Sequence, residues 1–438
     1  AHCADQPGRQ RARAPRLGST RRTGRGAEQA KRVNQHMEKD VIVTLNAGSS
    51  SLRCAVFERG QNGPEVRLRL SLQGLPDAMA WQRQDARTGE TEEARLNPPE
   101  SADKAQKTAL AEMTDRLLAE IKPARIAAFS HRVVHGGRDC TAPVQVDTAV
   151  MERLTALSPL APSHQPHNLA AIRDLAGRFP EIPQIACFDT AFHRYLPHED
   201  RVFALPKNMA DDGILRYGFH GLSYDYVAST LADIAPEVAQ GRVVIAHLGH
   251  GASMCALNDG RSVATTMGMT ALDGLPMGRR CGALDPGIVL YLIEERGMAP
   301  ADVREMLYER SGLAGLSGIS SDMAELLDSE APEAQAAVTF FTYRCRCEIG
   351  SLAAALGGLD ALVFTGGIGE NAPAIREGIC ADLGWLGVGI DKQANAQGAS
   401  RISPEAGKVG VFVIPTDEEQ VLARGAEEVL AGGDGATG

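Results

Sequence analysis

Four side chains that could do chemistry stand beside glycines or at the ends of apolar runs. They are Arg132 in SHRVVHGG, Asp189 in FDTAFH, His220 in RYGFHGLS and Arg280 in MGRRCGALDPG. An arginine fork can bind a carboxylate or a phosphate, and a buried carboxylate is either paired or functional. Each residue also has an ordinary structural interpretation: a surface arginine with a packed stem, a structural ion pair, or a core histidine beside an aromatic ring. Spacing alone assigns a role to none of them.

Three glycine turns follow apolar runs, at residues 46–51, 247–253 and 365–369. Taken singly, a glycine after a strand more often just makes a turn. None of the three matches GxxxxGK[ST], and GGIGEN is not the dinucleotide fingerprint. Together, with polar or hydroxyl residues beside the glycines, they favour contacts to nucleotide phosphate and sugar over three independent turns.

The first two glycine turns belong to a repeated pattern. VIVTL-NAGSSS-LRCAV at residues 41–56 recurs in outline as VVIAHLGHGASMCAL at residues 243–257. Each copy predicts two strands joined by a turn of small residues, where backbone N–H groups can point at an anion. The repeat predicts a duplicated fold with a nucleotide between the copies.

The rest of the chain supplies the elements that must position these residues. Strands and helices alternate from residue 41 onward, which predicts an α/β protein. Helices are expected at 102–121 and through the long stretch that Gly357 and Gly358 end, and a strand is expected at 182–192. The chain closes with a strand that leads into a helix, where Thr416 and Glu419 have capping-box spacing.

Composition limits the class of protein. A chain of 438 residues with 44% hydrophobic and 23% charged residues is typical of a two-domain enzyme. No apolar run approaches the ~20 residues of a membrane-spanning helix. The nine cysteines show no paired CxxC spacing, which favours free thiols in a reducing cytosol over disulfides or a zinc site.

Residues 1–36 differ from the remainder. They hold nine Arg and Lys residues, with Asp5 and Glu28 as the acids, and no apolar periodicity. Three interpretations compete: sequence upstream of a mis-called start, an Arg-rich transit peptide, or a nucleic-acid arm. Met37 just before the first strand favours the mis-called start, and we expect this segment to be disordered. The net charge of −10 becomes more negative without it, which argues against nucleic-acid binding by the body.

Taken together, the motifs resemble those of the acetate kinase family, which includes propionate kinases. NAGSSSLR, SHRVVHGG, FDTAFH, YGFHGLS, HLGHGAS, MGRRCGALDP, FTGGIGEN and IPTDEE fall in the family's order and spacing over residues 41–432. The resemblance implies a duplicated ribonuclease H-like α/β fold, shared with actin, sugar kinases and heat-shock chaperone ATPases. It implies a cytoplasmic homodimer with an active site in an inter-domain cleft. The first domain would comprise 37–188 plus 419–438, and the nucleotide-binding second domain 189–418.

The activity implied by the resemblance is direct, in-line phosphoryl transfer from ATP to acetate, giving ADP and acetyl phosphate reversibly. It would depend on Mg²⁺, with Mn²⁺ as an alternative ion, and would involve neither nucleic acid nor membrane. One alternative is a kinase for propionate or for short-chain carboxylates in general. Another, from a different class, is a non-catalytic nucleotide-binding protein of the same fold, such as a chaperone-like or cytoskeletal ATPase.

The same resemblance implies roles for individual residues. Asp189, His220 and Arg280 would be catalytic, Arg132, Val134 and Phe219 would bind the substrate, and Asn46 and Glu418 would bind the metal. The implied nucleotide-binding residues are Arg53, His247, Leu248, Gly249, His250, Gly251, Asp322, Gly366, Gly367, Ile368, Gly369 and Glu370.

Several positions depart from the family's pattern. His250 stands where Asn is usual, Tyr224 replaces a second histidine, Arg279 replaces a small hydroxyl residue, and Ala324 replaces a basic residue. Ser163 and Ala271 occupy places where Leu and Pro commonly crowd the acyl methyl group. Smaller side chains there could admit propionate, because one methylene in an apolar pocket discriminates by only ~1–3 kcal/mol.

Overall fold

The computed structural model describes residues 40–48, 51–74, 80–95, 102–121 and 124–433. These residues belong to one compact unit that begins at Asp40. The predictions for residues 1–36, and for Ser49 and Ser50 of the first glycine turn, lie outside the described residues.

The strands form two sheets. The first contains β1 (Val41–Ala47), β2 (Ser51–Glu58), β3 (Glu65–Gln73), β4 (Ala80–Asp85), β5 (Thr91–Arg95), β6 (Ile126–Val133), β7 (Val144–Gln145) and β8 (Gln184–Phe188). The second contains β9 (Arg242–Leu248), β10 (Ala252–Asn258), β11 (Arg261–Thr265), β12 (Ala361–Thr365) and β13 (Gly410–Val413).

The helices lie between and after the strands. They are α1 (Ala102–Ile121), α2 (Thr148–Ala156), α3 (Gln165–Arg178), α4 (His198–Arg201), α5 (Lys207–Asp211), α6 (Gly221–Ile234), α7 (Pro236–Ala239), α8 (Pro286–Glu294), α9 (Pro300–Glu309), α10 (Gly312–Ser317), α11 (Met323–Asp328), α12 (Pro332–Leu356), α13 (Gly366–Asn371), α14 (Pro373–Cys380), α15 (Lys392–Ala396) and α16 (Glu418–Gly433). Short 3₁₀ segments lie at Ser158–Leu160, Ala191–Tyr195 and Gly384–Leu386.

The two sheets repeat one topology. The first runs in the order β5-β4-β3-β2-β1-β6-β8-β7 and the second in the order β11-β10-β9-β12-β13. In each, the first strand of the repeat pairs antiparallel with its hairpin partner and parallel with a later strand, as β1 does with β2 and β6, and β9 with β10 and β12. The duplicated α/β fold is therefore confirmed.

Helices cover both faces of each sheet, which is why the central strands are continuous apolar runs. In the first sheet, α1 and α3 pack on one face and α16 on the other. In the second, α12 packs on one face and α6 on the other. The chain's last helix thus returns to the first sheet, and α6 also contacts α16.

The site residues follow the carboxyl ends of the parallel strands. Asn46 is the penultimate residue of β1 and Asp189 directly follows β8, whereas His247 is the penultimate residue of β9 and Gly366 directly follows β12. In open α/β sheets, ligands bind in the crevice outside these ends. The fold therefore brings residues that are far apart in sequence to one place.

Two local predictions have different outcomes. The long helix α12 ends at Gly357, whose φ of 69° is the left-handed conformation that glycine adopts without strain. The capping box of Thr416 and Glu419 is wrong, because the cap is one residue later: the Oδ1 atom of Asp417 accepts from the backbone N–H of Gln420 at 3.1 Å. A carboxylate at this position accepts a hydrogen bond from an otherwise unpaired N–H of the first turn, and its negative charge interacts favourably with the helix dipole.

Candidate active site

A cleft of about 600 Å³ opens where the three glycine turns meet. Gly48 contributes from the first turn and Gly249 and Gly251 from the second, whereas Gly366 and Gly367 of the predicted third turn lie in the first turn of α13. The remaining lining residues are Asn46, Ser51, Arg53, Arg132, Ser163, His164, His220, His247, His250, Arg279, Arg280, Tyr308, Glu309, Glu370, Thr416, Glu418 and Glu419.

Arg132 is the centre of a polar network on the side of the first sheet. Its Nε and Nη2 atoms donate to the two carboxylate oxygens of Asp189, at 2.9 and 2.7 Å. Its Nη1 atom lies 3.3 Å from both the Oδ1 atom of Asn46 and the Oε2 atom of Glu418. The Nδ2 atom of Asn46 donates to the same oxygen of Glu418 at 3.0 Å. Two donors of the Arg132 guanidinium, Nε and Nη2, are therefore occupied by Asp189 in this structure.

Burial and pairing act in opposite directions on the two carboxylates of this network. Burial raises the pKa of Asp189, and the bidentate contact with Arg132 opposes that rise. Burial also acts to raise the pKa of Glu418, but Arg132, His247 and Arg53 hold the pKa of Glu418 below its ordinary value. Glu418 is consequently an anion at neutral pH, and the charge of Arg132 is shared between two carboxylates.

The side of the second sheet carries neutral imidazoles. His220 stacks on His247 with ring centroids 4.3 Å apart. The Nδ1 atom of His220 lies 2.8 Å from the Oγ atom of Ser253, and the Nδ1 atom of His247 lies 2.8 Å from the Oγ atom of Ser223. Burial lowers the pKa of His220 well below its ordinary value and lowers the pKa of His247 to about 4. Both rings are uncharged at neutral pH.

The backbone at the start of α6 ties His220 to Asp189. His220 has a φ of 58°, a left-handed conformation that is uncommon for residues other than glycine. The N–H of Gly221 donates to the carbonyl oxygen of Asp189 at 3.0 Å. A Cβ atom on Gly221 would lie 2.0 Å from that oxygen, so only glycine allows this approach.

Arg280 reaches the second glycine turn from the 277–287 loop. Its Nη1 atom donates to the carbonyl oxygen of Ala271 at 2.6 Å. A Cβ atom on Gly251 would lie 2.9 Å from the Nη2 atom of Arg280 and 3.1 Å from the Nε2 atom of His220. The absence of a side chain at Gly251 therefore lets a cation and an imidazole approach the same turn.

Two predicted nucleotide-binding residues form hydrogen bonds with the backbone around the site; Glu370 also lines the cleft, whereas Asp322 does not. The Oε1 atom of Glu370 accepts from the N–H of Gly366 at 2.8 Å and from the N–H of Thr416 at 3.2 Å. Asp322 accepts from the N–H of Ala324 at 2.7 Å and caps α11. Their predicted nucleotide contacts stay predictions.

Other predicted residues do not line the cleft with their side chains. Val134 and Phe219 are buried in the core cluster beside the second sheet, in which Ala271 also packs. The side chain of Leu248 lies in the same cluster, Ile368 packs against it, and Gly369 is buried.

Five lining residues have no site role predicted from the sequence: His164, Tyr308 and Glu309, together with Thr416 and Glu419, for which a capping role alone was predicted. Burial lowers the pKa of His164 to about 3, with the nearby Arg280 and Arg132 acting in the same direction. Its position after the apolar run that ends in Pro162 offers a weak signal. Tyr308 and Glu309 end the otherwise ordinary surface helix α9, and the sequence carries no signal for them.

No group of three or more His, Cys, Asp or Glu side chains in the described ranges is arranged to hold a metal ion. Within the same ranges, no helix is both long and apolar enough to cross a membrane.

The chain is similar to characterised kinases along most of its length. The model of the acetokinase family matches residues 41–424. The acetate kinase of Methylocella silvestris is 48% identical over 389 residues, which cover 87% of this chain and 96% of the relative. That of Rhodopseudomonas palustris is 49% identical over 397 residues, which cover 90% and 99%.

Solved structures agree with the sequence relatives. A propionate kinase from Francisella tularensis is 33% identical with a TM-score of 0.81, and the match covers 89% of this chain and 100% of that one. An acetate kinase from Porphyromonas gingivalis is 34% identical with a TM-score of 0.77, over 89% and 100% of the two chains.

Proposed function

Since this chain belongs to the acetokinase family and is therefore a kinase, we propose that it transfers the γ-phosphoryl group of ATP to acetate, reversibly, giving acetyl phosphate and ADP. One observation carries the proposal: Arg280 and His220 converge on the second glycine turn, in the cleft that also holds the Arg132 network. Arg280 and the neutral His220 would contact a phosphoryl group at this turn. The Arg132 network in the same cleft would hold a carboxylate and a metal ion.

The chemistry needs positioning and charge stabilisation more than proton transfer. An oxygen of the ionised acid attacks the γ-phosphorus in line, the new P–O bond forms, and the bond to the β-phosphate oxygen breaks with its electrons leaving on ADP. Arg280 and the N–H of His220 would stabilise the charge on the equatorial phosphoryl oxygens. Because the acid is already deprotonated at neutral pH, no general base is required.

Arg132 and Asp189 would align the acid. The fork of Arg132 suits a planar carboxylate, but Asp189 holds two of its donors in this structure. Acetate would take the place of Asn46 and Glu418 at the Nη1 atom, or it would displace Asp189 in part. In both arrangements Asp189 orients the guanidinium, which favours the substrate-aligning role over an acid–base role for this carboxylate.

Asn46 and Glu418 fit a magnesium site. Mg²⁺ prefers oxygen ligands and commonly takes one or two protein oxygens together with waters and substrate phosphates. Glu418 is an anion, the Oδ1 atom of Asn46 lies in the same network, and the nearby Oγ1 atom of Thr416 is buried without a hydrogen-bond partner in the described part of the chain. When bound, Mg²⁺, or Mn²⁺ in its place, would neutralise phosphate charge and orient the γ-phosphoryl group.

The glycine turns and Arg53 would hold the nucleotide. Nothing lies within 4 Å of a Cβ atom built on Gly367, so a nucleotide can approach that backbone without obstruction. Arg53 lies beside Asn46 across the first hairpin and lines the cleft. The residues of the domains, 37–188 plus 419–438 and 189–418, would then close on ATP from two sides.

We also propose a homodimer, in the cytoplasm, formed through the face of α8 and α12. Leu290 and Tyr291 on α8 and Phe340 and Tyr343 on α12 are large apolar side chains that are exposed in the monomer. A second copy would cover them, since such patches mark interaction sites. Light scattering should give twice the 46.5 kDa mass of the chain, and Tyr343→Glu should shift the protein toward monomer.

Propionate is the second candidate substrate. Ser163 lines the cleft with a small side chain, and one structural relative is a propionate kinase. The test is an acid panel with MgATP and hydroxylamine trapping of acyl phosphate, compared through kcat/KM. We expect acetate to rank first. A higher value for propionate would change the substrate, and nucleotide binding with no trapped product from any acid would favour the non-catalytic alternative.

A further inference from the structure

We propose that Tyr224, acting through Ser253, fixes the tautomer of His220 so that the Nε2–H bond faces the cleft as a hydrogen-bond donor. The inference deepens the proposed function and rests on it for its catalytic meaning. Tyr224 is a positioning residue in this account, because it does not line the cleft.

The three side chains form a short chain of hydrogen bonds. The hydroxyl of Tyr224 is bonded to the Oγ atom of Ser253, which lies 2.8 Å from the Nδ1 atom of His220. Tyr224 and Ser253 are completely buried. Tyr224 lies near the rings of Phe192 and His193, which offer its hydroxyl no oxygen acceptor. The hydrogen bonds of the described residues give the Tyr224 hydroxyl no partner besides Ser253.

Counting protons along this chain selects one arrangement. The phenol of Tyr224 stays protonated, because burial raises its pKa well above the ordinary value. If it donates to Ser253, the serine hydroxyl donates to Nδ1 of His220, and the imidazole proton must lie on Nε2. If the imidazole proton is instead on Nδ1, it is donated to the Oγ atom of Ser253, and the hydroxyl of either Tyr224 or Ser253 is left without an acceptor among the described residues. An unsatisfied buried donor costs about 1–3 kcal/mol, which is sufficient to select the first arrangement.

The selected tautomer presents a donor at the second glycine turn. The Nε2 atom of His220 approaches Gly251 from the same side as Arg280. Because His220 is neutral, its tautomer decides whether this atom donates a hydrogen bond or accepts one. A donor stabilises charge on a phosphoryl oxygen, whereas a lone pair repels it. The hydroxyl groups of Tyr224 and Ser253 would therefore keep a hydrogen-bond donor on the Nε2 atom of His220 while the imidazole stays neutral.

The direct test is made on the wild-type protein by nitrogen NMR. Protein labelled with ¹⁵N-histidine is recorded at neutral pH, and the His220 signals are assigned by their loss in His220→Gln. We expect the protonated-nitrogen shift on Nε2 and the unprotonated-nitrogen shift on Nδ1. A proton on Nδ1 would overturn the inference whatever the enzyme's substrate, whereas absence of acyl phosphate synthesis would overturn the proposed function alone.

Variants then link the tautomer to catalysis. Tyr224→Phe removes the donor, so His220 should populate both tautomers and kcat should fall about tenfold, with KM for the acid and for ATP within about twofold. The matched control is Tyr226→Phe on the same helix, whose ring faces Arg424 and which should leave kcat unchanged. Unchanged nitrogen shifts and kcat in a folded Tyr224→Phe protein would contradict the proposal.

Discussion

The two halves of the fold repeat one backbone topology but differ in how they treat charge. In the first hairpin, Asn46 on β1 lies opposite Arg53 on β2, and in the second, His247 on β9 lies opposite Ser253 on β10. The first wall of the cleft continues into the ion pairs of Arg132, whereas the second continues into a stack of neutral histidines. The duplication thus supplies two equivalent hairpins that form the two walls of one cleft. Different side chains on the two hairpins give the walls different chemistry.

The difference has a physical basis in how each wall treats charge. Charges on the first wall are neutralised by one another, so a metal ion or carboxylate that enters must exchange for an existing partner. The second wall holds imidazoles whose hydroxyl partners fix their rings, so its donors need no rearrangement when a phosphoryl group arrives. The first wall is suited to exchanging ligands, and the second to stabilising a transition state.

Among these variants, Arg280→Ala should have the largest effect on kcat, because it removes the cation of the second wall. Removing the cation beside the phosphoryl position should lower kcat on the order of 10³-fold, because the Nη2 atom of Arg280 is the described atom nearest to a Cβ position on Gly251. The matched control is Arg279→Ala, an exposed neighbour, which should cost far less. Steady-state kinetics decide it, and equal losses in the two variants would remove the distinction drawn here.

Asp189→Asn should damage the first wall less. The variant keeps the shape of the side chain but weakens the bidentate contact that orients Arg132, and misplacement of this kind costs on the order of 10²-fold in rate. Because no general base is required, the pH profile of kcat should keep its shape. Loss of one limb of that profile would instead assign Asp189 an acid–base role.

Glu418→Gln should sharpen the comparison through metal dependence. The half-saturating Mg²⁺ concentration should rise roughly 10–100-fold, since an anionic oxygen of the first wall is lost. Glu419→Gln is the neighbouring control; its carboxylate lies 3.7 Å from Arg69 and should affect the Mg²⁺ titration little. Equal shifts in both variants would argue against Glu418 as the metal ligand.

A smaller effect, on the pH dependence of stability, comes from His131 in the core and involves neither wall of the cleft. Burial lowers the pKa of His131, completely enclosed beside Gln184, to about 4 from 6.5. The unfolded chain therefore binds more protons than the folded one between these values. Stability should be complete above about pH 6.5 and should fall by about 1–3 kcal/mol from this residue as the pH drops toward 4.

Urea unfolding across this pH range measures that effect. His131→Gln should make the decline in unfolding free energy shallower, whereas His198→Gln at an exposed position should leave its slope unchanged. An identical decline in wild type and His131→Gln would show that other groups cause the acid sensitivity.

Much of this architecture could be predicted from sequence, because the signals were local. The helix at 102–121, the end of α12 at Gly357 and the turn between β9 and β10 depend on periodicity and on glycine conformation within a few residues, whereas the glycines of the predicted third turn lie in α13. The pairing of Arg132 with Asp189 could not be predicted, since 57 residues separate them and only the parallel strands β6 and β8 bring them together.

The same limit explains the remaining differences. Val134 and Phe219 have buried side chains in the core cluster beside the second sheet, which a motif alone does not indicate, and their predicted contact with the substrate stays a prediction. His164, Tyr308 and Glu309 reach the cleft from loops and helix ends whose local pattern is that of ordinary surface. The N-cap of α16 is Asp417, although Thr416 has the capping-box spacing to Glu419.

The central claim is that one cleft joins an acid-binding wall to a phosphoryl-stabilising wall. A ³¹P NMR time course of the wild-type protein with MgATP and acetate tests this claim most directly. The account predicts that acetyl phosphate and ADP accumulate together in equal amounts and that no product forms without acetate. Release of inorganic phosphate from ATP at the same rate with and without acetate, and no acyl phosphate signal, would contradict it.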